Sequence, residues 1–279
     1  MKMALILAAL SAQPAAQNPV KSSMLPETIA SSLDAGGIIA PSIAATDRSW
    51  RARAHYTYTE HALDRRLDSR GNLKSEHVDI STVAFVRGAP VPQLVLRDGL
   101  PPSPEEVRKH QQNVDKLTHE TLEERAARLL LEEQDNASLI SEVPLAFDFT
   151  KLGEEVVDGR PAYVLQATPH PGYKPRGKYG KMFPKLQGKL WVDKQDFGWV
   201  KADAQVIEPL TAGLFLARIL PGSRLTMEQA RLGDGVWMPK HIEARATAKI
   251  LLIKSLVIDR ILTYSDYQPA AGGPGLPVP

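Results

Sequence analysis

Two Asp-Gly dipeptides, Asp158-Gly159 and Asp234-Gly235, each separate a pair of runs in which apolar and polar residues alternate. A two-residue type I′ turn needs positive φ at both central positions, which Asp-Gly adopts readily. Alternation with period two puts successive side chains on opposite faces of a strand. The chain is therefore expected to fold as antiparallel hairpins. Strands are read over residues 51–60, 76–86, 91–97, 147–157, 161–168, 189–194, 199–208, 224–232 and 236–250, and strand character continues beyond them. Turns fall at 68–72 and 87–90.

The period changes once. Ser103, Pro104 and Glu106 form a helix start, with Ser at the N-cap, Pro at the first helical position and Glu placed to close a capping box. Val107, Val114, Leu117, Leu122, Ala126, Leu129 and Leu130 follow at three-and-four spacing. They predict one long helix or two shorter ones, to about residue 134. The expected class is α+β: about ten antiparallel strands in meander order, in a twisted sheet wrapped around this helical insert. Residues 17–48 read as a linker with a short helix near 26–33, residues 49–268 as the folded domain, and 269–279, rich in Pro and Gly, as a disordered tail.

Lys2 precedes an apolar run over residues 3–10, and Ser11, Ala12, Ala15 and Ala16 follow. This is the pattern of a signal peptide, expected to occupy residues 1–16 and to direct the chain to the periplasm. The run is too short to span a bilayer, which takes about 20 residues. There is no cysteine, so neither a disulfide nor an acylated cysteine is expected. The 34 basic and 32 acidic residues nearly cancel, which gives no global nucleic-acid footprint. No GxSxG, HExxH, GxGxxG or P-loop is present. His55, His61 and His77 lie near Glu60, Glu76 and Asp79 in sequence, but their spacing matches no ligand pattern. No catalytic centre, metal or cofactor is expected.

Three features point instead to binding. First, strand positions expected to face inward are often small. Ala52 and Ala54 share a face with Tyr56 and Tyr58; Tyr163 and Leu165 share another; Val200, Ala202 and Ala204 a third; Ile242, Ala244, Ala246 and Ala248 a fourth. Alanine is a poor strand former and fills little volume. Either a helix approaches the sheet closely there, or the rows line an apolar ligand cavity. Second, segments between strands are apolar: Met182 and Phe183, then Leu214, Phe215 and Leu216, then Leu251, Leu252 and Ile253. Such segments either cover one another or rim a lipid-accessible mouth that touches the membrane. Third, Lys174, Arg176, Lys178, Lys181 and Lys185 share a stretch without acidic residues. This is either a solvated loop or a contact for anionic headgroups, worth about 1 kcal/mol per basic residue near a charged surface.

Tyr163-Val-Leu-Gln-Ala-Thr-Pro169, Gly188-Lys-Leu-Trp-Val-Asp-Lys194, Trp199-Val-Lys201 and Gly235-Val-Trp-Met-Pro239 occur in that order. In sequence and spacing they resemble the outer-membrane lipoprotein-sorting superfamily, the LolA/LolB-like proteins. The resemblance implies an incomplete antiparallel β-barrel, closed by helices, that holds lipid or acyl chains in an apolar cavity. Its implied partners are a lipid or acyl chain, a lipoprotein or another envelope protein, and the membrane surface, with no nucleic acid. Two family features lack a counterpart. Neither Arg51 nor Arg53 can be matched to the arginine that latches the chaperone's lid, and no cysteine is available for the acyl anchor of the receptor. The expected function is a periplasmic, non-enzymatic lipid- or lipoprotein-acyl-binding protein. The alternative is an envelope sensor or scaffold whose barrel is filled by its own helix.

Overall fold

The computed structural model describes residues 33–177, 179–212, 217–250 and 254–270. Among the described residues, the first helix is capped by Asp34, whose carboxylate accepts the Gly37 N–H at 2.7 Å at the start of α1, Ala35–Ala52. Ile38, Ser42, Ala45 and Ser49 recur at helical spacing and are all buried. The two serines on this face have partners: Trp199 Nε1 donates to Ser42 Oγ at 3.1 Å, and the Trp237 N–H donates to Ser49 Oγ at 3.0 Å. A 3-10 turn, Arg53–His55, then leads into β1, Tyr56–Asp68.

This corrects two expectations. The strand read from residue 51 starts at Tyr56, so Ala52 closes a helix and Ala54 sits in the turn. Alternation of small and basic residues suits either state, and alanine is the best helix former. The segment read as a linker is helical from Ala35 onward. The expected signal peptide and the helix near 26–33 lie outside the described residues, as does most of the tail; β12 itself runs to Pro269.

The remaining strands are β2 Leu73–Val86, β3 Ala89–Arg97, β4 Phe147–Val157, β5 Arg160–Pro169, β6 Leu186–Asp193, β7 Trp199–Val206, β8 Leu210–Ala212, β9 Ala217–Ile219, β10 Arg224–Arg231, β11 Trp237–Ile250 and β12 Lys254–Pro269. They form one twelve-stranded sheet in the order β3-β2-β1-β12-β11-β10-β7-β6-β5-β4, with the β8–β9 hairpin attached to β11. All pairings are antiparallel, and the sheet is an open, incomplete barrel. The order departs from a simple meander because β1 pairs with β12. The two ends of this strand order are therefore β3 and β4, consecutive in the chain. The helical insert joins them as two helices, α2 Pro104–Thr118 and α3 Leu122–Ala146. Both start with complete capping boxes, Ser103 with Glu106 and Thr121 with Glu124.

Asp158 and Gly159 have φ of 49° and 77°, the two-residue turn their identities predict. Asp234-Gly235 behaves differently: a 3-10 turn, Gly233–Gly235, joins paired residues Arg231 and Trp237. At Gly188 a Cβ would collide with the Asp203 carbonyl, so glycine lets β6 and β7 approach there.

Among the described residues, the helix on the inward face of the sheet is α1, not the insert. Ile38 and Ile39 pack on Tyr163, Leu165, Leu190 and Val192. The insert packs at the β3 edge, where Val114 and Leu117 of α2 meet Ala89 and Val91. It reaches α1 and the 3-10 turn that follows it through ion pairs, Arg51 with Glu133 and Arg53 with Glu132 at 4.0 Å. Arg53 also lies over the Trp50 ring, 3.0 Å from its centroid. Burial pulls its guanidinium down to about 10, against the opposing pull of Glu132.

Candidate functional site

Strand register defines the inward face. Leu165, Leu190, Ala202, Met227, Ile242, Leu262 and Ala62 lie in one row across seven strands. The β5–β7 part of this row lies under α1. The β11–β12–β1 part bears Ile242, Leu262 and Ala62, flanked by Leu225, Met227 and Tyr264. Ala204 and Ala244 follow in the next row, then Ala246 and Ala248 along β11.

The alanines of β11 have long side chains beside them. Across β12 their partners are Arg260, Ile258 and Leu256, long side chains that share the room the alanines leave. What stays open is a cleft of about 570 Å³ on the β11–β12–β1–β2–β3 side. Ala246 and Ile258 are among its apolar lining residues, and Arg66, Arg260, Asp64 and Asp79 among its charged ones. A second cleft of about 390 Å³, nearly all apolar, lies where α1 meets the start of β4; Ile39, Ile43, Pro144 and Phe149 line it.

The residues expected to line a cavity thus divide. Tyr163, Leu165 and Ala202 are packed against α1. Val200 is on the opposite face, because a bulge between Trp191 and Val192 shifts the β6–β7 register; it packs with Ala162, Val164, Trp191 and Trp237. Tyr56 is half-buried opposite Pro269. Tyr58 packs edge-on against Tyr264 and at a tilt against Tyr267, ring centroids 5.8 and 5.3 Å away, and burial first, then Glu60, pushes its hydroxyl up to about 12. Burial likewise raises the Glu60 carboxyl, partly opposed by Arg260. Ile242, Ala244, Ala246 and Ala248 are buried on the inward face.

Phe183 is no mouth residue. It is buried in the 3-10 turn Gly180–Lys185, against Phe147 at 5.6 Å and Tyr173 at 6.2 Å, with half-buried Met182 beside it. Lys174, Arg176 and Lys181 are exposed, whereas Lys185 Nζ donates to the Pro209 carbonyl at 2.9 Å. Lys178, Leu214, Phe215, Leu216, Leu251, Leu252 and Ile253 lie outside the described residues. The strands flanking the two apolar segments are neighbours, since Ile219 pairs with Ala248 and Ala217 with Ile250.

One residue that shapes this end of the molecule carries no sequence signal. Glu142 of α3 is buried and accepts four hydrogen bonds: from Ser138 Oγ at 3.2 Å, the Arg176 N–H at 3.1 Å, the Gly177 N–H at 2.6 Å and the Tyr173 hydroxyl. It fastens the basic loop to the helix. Burial pushes its carboxyl up, but the four donors outweigh burial and hold it below the usual glutamate value of 4.5. A carboxyl depressed in the folded state stabilises above its unfolded pKa, and that contribution is lost as pH falls through the folded value. Glu142→Ala is expected to cost about 2–3 kcal/mol at neutral pH, since buried donors lose their acceptor. In urea melts the difference from wild type should shrink below about pH 4.5. A pH-independent difference would remove the carboxylate from this role.

No protein-family model matches the chain. No curated protein matches it either. Solved structures do. A putative outer membrane lipoprotein-sorting protein domain from Vibrio parahaemolyticus aligns over 83% of this chain and 92% of its own, at 12% identity and a TM-score of 0.32. A LolA superfamily protein from Nitrosomonas europaea aligns over 85% and 94%, at 11% identity and a TM-score of 0.30. A DUF1329 family protein from Desulfovibrio piger aligns over 84% and 94%, at 12% identity and a TM-score of 0.29. The chain is thus similar to LolA-superfamily and DUF1329 structures as a distant likeness of outline, and no residue role is carried across it.

Proposed function

We propose that the protein is a non-enzymatic, periplasmic binder of lipid or of lipoprotein acyl chains. The observation that carries this reading is the cleft of about 570 Å³ on the part of the inward face lined by β1, β2, β3, β11 and β12. It combines aliphatic floor, Ala246 and Ile258, with charged walls, as an amphiphile requires. Micromolar affinity takes about −8 kcal/mol. At about 0.8 kcal/mol per buried methylene, roughly ten methylenes would supply it before ordering costs. The exposed Lys174, Arg176 and Lys181 suit contact with an anionic membrane surface during delivery or uptake.

Native mass spectrometry of the purified protein tests this. The expected spectrum carries adducts of acyl-chain mass, or gains them on addition of laurate or lysophospholipid. Protein that stays ligand-free with both compounds and with phospholipid would exclude the reading. A second reading, an envelope sensor or scaffold, is favoured by α1 filling the β5–β7 part of the inward face. Capture of a stoichiometric protein partner by lipid-free protein would decide for it.

A further inference from the structure

We propose that the inward cleft binds the anionic end of its amphiphile, a carboxylate or a phosphate, between Arg66 and Arg260. The inference rests on the lipid-binding reading above and names the head that the cleft selects.

Four arginines and two aspartates line the cleft. Two of the arginines are spent. Arg97 holds Asp79 through Nε at 2.8 Å and Nη2 at 2.7 Å, and also pairs with Glu106. Arg65 holds Glu76 at 2.6 Å. Arg66 is different: among the described residues it makes no ion pair. Arg260 is only partly engaged. Its Nε is buried and has no hydrogen-bond partner, and the nearest charge, Asp64 Oδ1, stands 3.5 Å away.

Register brings the two together. Arg66 faces Ile258 across the β1–β12 pair, and Arg260 faces Asp64. The two guanidinium-bearing positions are therefore diagonal neighbours on one face, about 7–8 Å apart at the backbone and within reach of long side chains. Ser75 faces Arg66 from the other side, on β2. Among the groups lining the cleft, the opposing charge left over is Asp64; Glu60, further along β1, does not line it, and burial raises its carboxyl against the pull of Arg260. His77 is engaged by Asp98 at 2.9 Å. The unfilled valence of the cleft is thus cationic. A planar guanidinium pair matches a carboxylate or phosphate by charge-assisted, bidentate hydrogen bonds. Ile258 stands directly beside Arg66, with Ala246 as its partner on β11, so an apolar chain leaving the anion meets an aliphatic wall at once.

The test is isothermal titration of the full chain with three amphiphiles of equal chain length: laurate, dodecyl phosphate and dodecanol. Wild type should bind at least one anion about tenfold more tightly than the alcohol, the effect of one good charge-assisted contact. Arg66→Gln and Arg260→Gln should each bring anion affinity down to that of dodecanol, and Arg66→Lys should keep part of the preference. The preference between laurate and dodecyl phosphate tells which head is meant. Equal binding of all three by wild type overturns the anion site and leaves the lipid-binding reading standing. Binding of none overturns both. Thermal melts of each variant exclude loss of fold as the cause.

Discussion

Asp193→Ala is expected to destabilise the protein by about 4 kcal/mol, the range found when one partner of a buried ion pair is removed. Asp193 ends β6 and is fully buried. Its carboxylate accepts Arg160 Nε at 2.7 Å and Nη2 at 2.9 Å, together with the backbone N–H groups of Gln195 at 2.8 Å and Asp196 at 3.0 Å. One side chain thus ties β5 to β6 and shapes the turn into β7. That turn holds Gly198, where a Cβ would overlap the Trp237 indole, and Asp196, which accepts the Trp237 Nε1–H at 2.9 Å. Alanine would leave two amides without an acceptor and the Arg160 guanidinium with only Gln195 Oε1 at 3.1 Å and Asp196 at 3.7 Å, beside a core of Ala162, Val164, Trp191, Val200 and Trp237. Asp193→Asn should cost less, because the amide oxygen still accepts from the turn. Urea denaturation with an unchanged m-value measures both. A loss below about 1 kcal/mol for the alanine variant would show that the pair is not integral to the hairpin.

The hairpins were legible because their signals are local. Asp158-Gly159 needs no distant partner to turn, and the Ser103 capping box declares itself within four residues. The α1 helix was not legible. Its buried stripe is two serines, an alanine and one isoleucine of the Ile38-Ile39 pair, and Pro41 with Gly36 and Gly37 weakens the helical pattern. What makes it a helix is tertiary: Trp199 and Trp237 reach its serines from more than 150 residues away. The fate of the alanine row was equally hidden. Small residues on β11 signal room, but whether that room is empty depends on which strand lies beside them, and only the β11–β12 register shows that Arg260, Ile258 and Leu256 do. Val200 was misplaced for a similar reason, since a one-residue bulge reverses every inference from alternation. The charged cleft was missed because Arg66 and Arg260 come from strands at opposite ends of the chain, joined by the β1–β12 pairing that breaks the meander.

Ile38→Ala is expected to cost about 3–4 kcal/mol, within the range for truncating a fully buried aliphatic side chain. Ile38 has no exposed surface and sits on Tyr163, Leu165, Leu190 and Val192. The cost should lie in the upper part of the range because the site cannot collapse. The sheet below is fixed by hydrogen-bonded strands, and a cleft of about 390 Å³ already lies beside neighbouring Ile39. Hydrogen exchange should separate local from global consequences: amides of α1 should lose protection before those of β5 and β6. A cost under 1 kcal/mol would mean that α1 merely rests on the sheet. The same variant also divides the inward face functionally. The cleft on β1, β2 and β12 lies away from Ile38, so laurate affinity per folded molecule should be unchanged. If Ile38→Ala instead raised laurate affinity, α1 would be occupying the space the ligand needs, and the helix would be the gate of the site rather than a fixed part of its core.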